Sequence, residues 1–390
     1  MPHFSADEFD NRVASAQQLL RARDLDGILL FAPESQYYLT GYDTFGFAMF
    51  QCVVLAANAP VAESLHLLTR APDMRQALHT STFSADCIHL WVDEEGVDPA
   101  RELARLLAEL NLAGESVLLG VETQTVGLTA WNWQQLAPRL QGVATLVEAS
   151  DLIRSQRRVK SAAEIDCHRR AAAQSDAALD AALGITSAGA FEGDILAAMQ
   201  GAVFQDGGDY AGNEFIIGSG TGALMCRYFS GRRHLDSSDQ LTLEWSGAWR
   251  RYHAAMMRTL VVGNPPERQL HMHTATVSAL EACEAAIKPG VAMGDVFDVH
   301  ARVLDQHGYS HARMNACGYG MGAVYNPIWV DFPMFYAGNP QLIEVGNVFF
   351  LHMILMDSST SLAMCWGHSV LVTETGIERL SRHSMALPEC

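Results

Sequence analysis

The chain has 390 residues, 49% of them hydrophobic, and a formal net charge of −18. That length can bury a large core across two or three domains. The charge excludes nucleic acid and anionic membrane as partners, because both require a basic face, and no apolar run approaches the roughly 18–20 residues of a membrane span. The start, MPHFSADEFDNR, is too polar for a secretory signal, so a cytoplasmic location is expected. Lys160 and Lys288 are the only lysines. A GC-rich coding sequence and a salt-adapted cell both produce that skew. Eight cysteines are scattered with no C-x-x-C pair, and read as small buried apolar residues of a reducing compartment.

In chain order, SADEFDNRVASAQQLLRARDL carries a Ser5 cap, acids in its first turn and an apolar stripe, which predicts a helix. DGILLFA reads as a strand and SQYYLTGYDTFGFAMF as an aromatic, glycine-punctuated loop. QCVVLAA and LHLLT read as strands, DPARELARLLAEL as an amphipathic helix and SVLLGVE as a strand. SDLIRSQRRVKSAAEI reads as a polar connector. Beyond it come two helices, the strands NEFIIGSG, QLTLEWSG and MMRTLVVG, two more helices, and the strands NVFFLHMILM and SLAMCWGHSVLVTE. The pattern predicts an α+β chain: an α/β domain over 1–152, then over 153–390 a pseudo-two-fold repeat of helix pairs on an antiparallel sheet. The G-x-G-x-G of CGYGMGAV is followed by no helix, so it is not read as a dinucleotide site.

The hairpin QLTLEWSGAWRRYHAAMMRTLVVG raises the chemical question. It holds one acid, Glu244, and one histidine, His253, beside a bland Ala254-Ala255-Met256-Met257. With RYFSGRR, GYGMG, VGNVFFLHMIL and WGHSVLVTETGIERLS in this order, the chain resembles the creatinase and Xaa-Pro aminopeptidase superfamily throughout. Its first domain resembles the creatinase-type N-terminal domain, notably in GILLFAPESQYYLTGYDT. The resemblance implies a pita-bread fold for the second domain. Peptidases of this fold hold two metals with two Asp, one His and two Glu. Those positions fall here on Glu244, Ala255, Tyr319, His352 and Gly367. Two divalent ions about 4 Å apart need several anionic oxygens. Alanine and glycine ligate nothing and neutral tyrosine ligates poorly, so no metal and no other cofactor is expected.

Within that superfamily, GYGMGAVYNPIWVDFPMFY, VFFLHMILMDS and LSRHSM resemble the ectoine hydrolases. The resemblance implies hydrolytic opening of a cyclic amidine to N-acetyl-2,4-diaminobutyrate, a zwitterionic small-molecule substrate, a homodimer, and a downstream deacetylase. It also implies that the QYYLTGYDT loop reaches the partner's cleft. An amidinium needs an anion beside it, a nucleophile and a proton shuttle. Glu244 supplies the anion and acts as nucleophile or as general base. His253 or His352 is the expected shuttle, and Tyr319 an active-site hydroxyl. Arg227 is expected to hold the substrate carboxylate. Phe47, Tyr325, Trp329 and Trp366 are candidates to stack on the cation, with His368 also in the pocket. Asp331 is either a turn residue or the holder of a substrate amine. Glu244 also has a bland reading, as a buried acid paired with Arg258. A creatine-like guanidino acid hydrolase and a non-catalytic binding protein remain open as alternatives.

Overall fold

The computed structural model describes residues 2–225, 227, 231–388 and 390. They form two compact units that divide at Arg157 and Arg158.

In the first unit, α1 (Ala6–Ala22) leads into β1 (Gly27–Leu30), α2 (Pro33–Thr40), β2 (Cys52–Ala56), β3 (Leu65–Arg70), α3 (Met74–Thr80) and β4 (Ile88–Trp91). Then follow α4 (Pro99–Glu109), β5 (Leu118–Val121), α5 (Ala130–Leu140), β6 (Thr145–Glu148) and α6 (Ser150–Arg157). The strands form one mixed sheet in the order β4-β3-β2-β1-β5-β6. Central strand β1 is buried on both faces. Ile28 and Leu30 join a core with α1 and α6, while Leu29 joins one with α4 and α5. Ser5 caps α1 as the sequence requires, accepting from the Glu8 N–H.

Two expectations need correction. The expected loop at Ser35 is the helix α2. Pro33 opens it and Gly41, in the left-handed region at φ 76°, closes it. Its cap comes from far away, because Glu122 accepts from the Ala32 N–H at 2.8 Å and the Ser35 hydroxyl at 2.5 Å. The polar connector is mostly helix too: α6 takes it up to Arg157, and a capping box of Ser161 and Glu164 starts the next helix at once.

The second unit opens with α7 (Ala162–Ile185) and α8 (Glu192–Gln205), then β7 (Ile216–Ser219), β8 (Asp239–Trp249) and β9 (Tyr252–Val262). The plan repeats with α9 (Glu267–Ala286), α10 (Met293–Gln306), β10 (Gly318–Gly320), β11 (Asp331–Met334), β12 (Val348–Asp357), β13 (Leu362–Val372) and the short β14 (Ile377–Arg379). The sheet is antiparallel throughout, in the order β11-β10-β12-β13-β9-β8-β7, with β14 added to β13. The β8–β9 hairpin turns on Arg250 and Arg251, both at positive φ, as a two-residue loop of this hand requires.

The helix pairs cover one face of this sheet. Trp245 of β8 is fully buried there and donates its indole N–H to the Ser175 carbonyl of α7. Its neighbour Gly247 donates to the Ser175 hydroxyl at 2.6 Å. A Cβ at Gly247 would overlap the Ala171 carbonyl oxygen and sit 2.8 Å from the Gln174 side chain. Helix and strand therefore touch backbone to backbone. Gly247→Ala is expected to destabilise the second unit by about 3 kcal/mol, the upper range for overpacking, read as a lower denaturant midpoint at unchanged slope.

Candidate functional site

Strand register builds the site. Directly opposed residues point to the same side of an antiparallel pair. Glu244 on β8 opposes Met257 on β9, Met257 opposes Gly367 on β13, and Gly367 opposes His352 on β12. This row lies on the face away from the helices, because the adjacent Trp245 faces α7. Ala255 shares the row's face by alternation.

Tyr319 shows how strongly the sheet curls. It lies on β10, four strands from β8, which is about 19 Å along a flat sheet. Yet its hydroxyl donates to the Glu244 carboxylate. The same oxygen accepts from the Trp329 indole N–H at 2.8 Å, so its own proton is committed to Glu244. The Tyr319 ring also packs 5.6 Å from the His352 ring. Tyr319 thus ties together the two ends of the row.

Electrostatics single out Glu244. Burial pushes its carboxyl up to about 7, against the opposing pull of the Arg227 charge and the Tyr319 hydrogen bond. Desolvation wins over both. Burial and the Glu244 charge together raise the Tyr319 phenol well above its usual value. Burial lowers His352 to about 4, so it is neutral at pH 7. Its Nδ1 is buried with no hydrogen-bond partner among the described residues.

The sequence-derived candidates therefore separate. Glu244, Tyr319, His352, Trp329 and Arg227 are gathered together, Arg227 as an exposed residue acting through its charge. His253 is corrected. It shares the row's face, but its Nδ1 bonds the Arg251 carbonyl and its Nε2 accepts the Gly212 N–H at 2.8 Å. Both nitrogens are spent on backbone, so it cannot shuttle protons without breaking the fold. His368 and Trp366 are also corrected, since both face the helices. His368 bonds Glu284 of α9 at 2.6 Å, and Trp366 packs on His273 of α9 and under Arg258. Arg258 is on that same face and bonds the Gly367 carbonyl, so it is no partner for Glu244. Tyr325 is buried beneath the Arg251 guanidinium, 5.0 Å from its ring centre. Asp331 is buried on β11 and accepts from the Phe332 N–H. Phe47 belongs to the first unit, packed 5.4 Å from Phe45. Away from this row, His300 of α10 is a further buried histidine, lowered to about 3 by its burial. It sits on the apolar stripe Met293, Val296, His300, Leu304, a packing position.

Two family profiles match this chain. Residues 12–159 match the creatinase/prolidase N-terminal domain, and residues 166–374 match metallopeptidase family M24. The chain belongs to family M24. An uncharacterized hydrolase/peptidase of Sinorhizobium fredii is 26% identical over 386 residues, covering 97% of this chain and 96% of the relative. The ectoine hydrolase of Halomonas elongata is 25% identical over 394 residues, again covering 97% of this chain and 96% of its own. The crystal structure of a prolidase from Thermococcus sibiricus superposes with a TM-score of 0.86 at 18% identity, over 98% of this chain and 99% of that one. At that identity the likeness speaks for the fold.

The M24 name implies a metal centre, and the donor set here does not fit one. Of the five positions where M24 peptidases carry ligands, only Glu244 and His352 have an ordinary metal donor. Ala255 has none, and Tyr319 spends its hydroxyl on Glu244 and Trp329. Gly367 could not even carry a side chain. A Cβ there would overlap the Leu351 carbonyl oxygen and lie 3.0 Å from the His352 Cα. Among the described residues, no three of His, Cys, Asp and Glu converge as a metal site. No helix among them is long and apolar enough to cross a membrane.

Burial of neutral histidines predicts acid lability. His168 and His300 are lowered to about 3, and His253 and His352 to about 4, from 6.5. Each binds its proton more weakly folded than unfolded. The stability they contribute is complete above pH 6.5 and is lost as pH falls toward 4, at up to about 1.4 kcal/mol per pH unit for each group. Glu122 and Glu244, raised to about 7, act the other way: their contribution is complete below 4.5 and is lost as pH rises through 7. Four groups outweigh two. The melting temperature, followed by calorimetry, is expected to fall between pH 6.5 and pH 4.5.

Proposed function

We propose that this chain is a metal-independent hydrolase that opens the cyclic amidine of ectoine to N-acetyl-L-2,4-diaminobutyrate. The observation that carries this reading is the pairing of Glu244, a cleft carboxyl of near-neutral basicity, with Ala255 and Gly367 where M24 peptidases carry acids. One carboxylate is too few anions for two metal ions but suits one planar organic cation. The likeness to the Halomonas elongata enzyme supports the same substrate. The same reading includes a cytoplasmic homodimer and a deacetylase that consumes the product.

The charges assign the roles. With a pKa of about 7, Glu244 takes a proton from water as the water oxygen adds to the amidinium carbon. The tetrahedral intermediate then breaks one ring C–N bond. Glu244 returns its proton to the departing nitrogen, the new hydroxyl proton follows, and the amine leaves as ammonium. The acetyl group stays on the other nitrogen. Direct attack by the carboxylate uses the same residues, with water releasing the product from Glu244 afterwards. His352 is neutral and orients rather than donates charge. Arg227 pairs with the substrate carboxylate. Trp329 holds Tyr319, and Tyr319 aims Glu244.

Chelator-treated protein is expected to convert ectoine at full rate, with the acetylated product identified by NMR. Glu244→Gln should remove at least a thousandfold of that rate while leaving the melting temperature within a few degrees, a loss on the order of that for deleting an essential general base. Binding without turnover would instead indicate a binding protein, and turnover of a guanidino acid a creatine-like specificity. Cleavage of Xaa-Pro dipeptides only after Mn²⁺ is added would sink the reading.

The pH profile offers a second check. Because Glu244 works ionised, kcat/KM should rise tenfold per pH unit below about 7 and level off above it. Tyr319→Phe removes a hydrogen bond that lowers the Glu244 pKa. Its acid limb should therefore move to higher pH; a limb left in place would separate Tyr319 from the working carboxylate.

A further inference from the structure

We propose that Arg258 is a positioning residue for the cleft: from behind the sheet it clasps the seam between the two halves of the second unit and so holds Glu244 in line with Tyr319. This inference rests on the reading of Glu244 as the working carboxyl.

The seam is short. Strands β8 and β9 face each other along their whole length, and β12 and β13 along almost all of theirs. β9 and β13 join the half that opens with α7 and α8 to the half that opens with α9 and α10. They face each other only from Met256 to Arg258 and from Trp366 to His368. The row from Glu244 to His352 crosses the seam here, through Met257 and Gly367. Arg258 fastens both of those residues. Its Nη1 donates to the Met257 carbonyl at 2.8 Å and, across the seam, to the Gly367 carbonyl. On either side of that point other side chains stitch the strands. The Cys365 N–H donates to the Thr259 hydroxyl at 2.8 Å, and the Ser369 hydroxyl donates to the Ala255 carbonyl at 3.0 Å.

Arg258 is itself held in place. Its guanidinium lies 4.6 Å from the centre of the Trp366 ring. Trp366 in turn donates its indole N–H to the Met385 Sδ at 3.2 Å and packs edge-on against His273 at 4.7 Å. A planar fork fixed in this way meets the carbonyls at set angles, which a flexible ammonium does not. Arg258 is fully buried, and among the described residues no carboxylate bonds it and its Nη2 has no partner. Its charge is therefore spent on the two carbonyls, and charge-assisted hydrogen bonds are the strong ones. On the cleft face, the hydrogen bond from Tyr319 to Glu244 spans the same seam, from β10 to β8. The two ties lie on opposite faces of the sheet. Loss of the one behind lets the halves turn about the short ladder and misaligns the one in front.

The test uses the full chain labelled with ¹⁵N-tryptophan. The Trp329 indole N–H, which bonds the Tyr319 hydroxyl, is identified in the NMR spectrum by its absence from Trp329→Phe. Arg258→Lys keeps the charge and loses the fork. It should move the Trp329 resonance upfield, as a weakened hydrogen bond does. It should also lower kcat about a hundredfold at nearly constant KM, the scale of a misplacement remote from the chemistry. In a Tyr319→Phe background no bond is left to misalign, so the same change should cost only about twofold more. An unmoved Trp329 resonance in Arg258→Lys would overturn the proposal, and so would fully additive losses. Should Arg258→Lys not fold, Trp366→Leu, which strips the ring from the guanidinium, is read in the same way. A wild type that does not hydrolyse ectoine, with the Trp329 resonance displaced in Arg258→Lys, would overturn the substrate instead and leave the clasp standing.

Discussion

The hydrogen bond from Tyr319 to Glu244 joins residues four strands apart in one sheet. It can form only because the sheet curls until β10 faces β8. That curl in turn depends on helices packed against one face alone. Trp245, Gly247 and Trp366 press on that side, and the row of Glu244, Gly367 and His352 is left to the hollow. Register then does the rest. Each member of the row is placed by the ladder hydrogen bonds of a long strand rather than by a loop, so the site inherits the rigidity of the sheet.

Desolvation is the dominant electrostatic effect in that hollow. It moves the Glu244 carboxyl up, against the Arg227 charge and the Tyr319 hydrogen bond, and the His352 imidazole down. The outcome is an inverted proton order: the acid has become more basic than the histidines near it. A reading by residue type alone gives the shuttle to histidine, because histidine titrates near neutrality in water. In this environment Glu244 is the group poised near neutral pH. The aromatic chain from Trp329 through Tyr319 tunes it without adding charge.

Much of this was legible before any coordinates. Helix α1 announces itself by Ser5 and its apolar stripe, and the β8–β9 and β12–β13 hairpins by length and turn chemistry, because those signals are local. Helix α2 was hidden for a physical reason. It is buried nearly all round and so shows no stripe, and the carboxylate at its start belongs to Glu122, 90 residues away in sequence. Glu244, Tyr319 and His352 were readable through resemblance. The misplacement of His368 and Trp366 was avoidable, since alternation puts the two neighbours of Gly367 on the opposite face. The loss of His253 was not, because its Nε2 partner, the Gly212 N–H, lies 41 residues away and leaves no pattern in the chain.

Gly367 carries a consequence for how this lineage can change. By lacking a side chain it lets β12 and β13 sit closer than an acidic residue would allow, and the Arg258 guanidinium clasps its carbonyl from behind. Two-ion chemistry at these positions would therefore demand more than carboxylates at 255 and 367. The strands would first have to part, and the core beneath them would have to repack to let them. A side chain can be exchanged one codon at a time; a backbone spacing that leaves no room for it works as a ratchet.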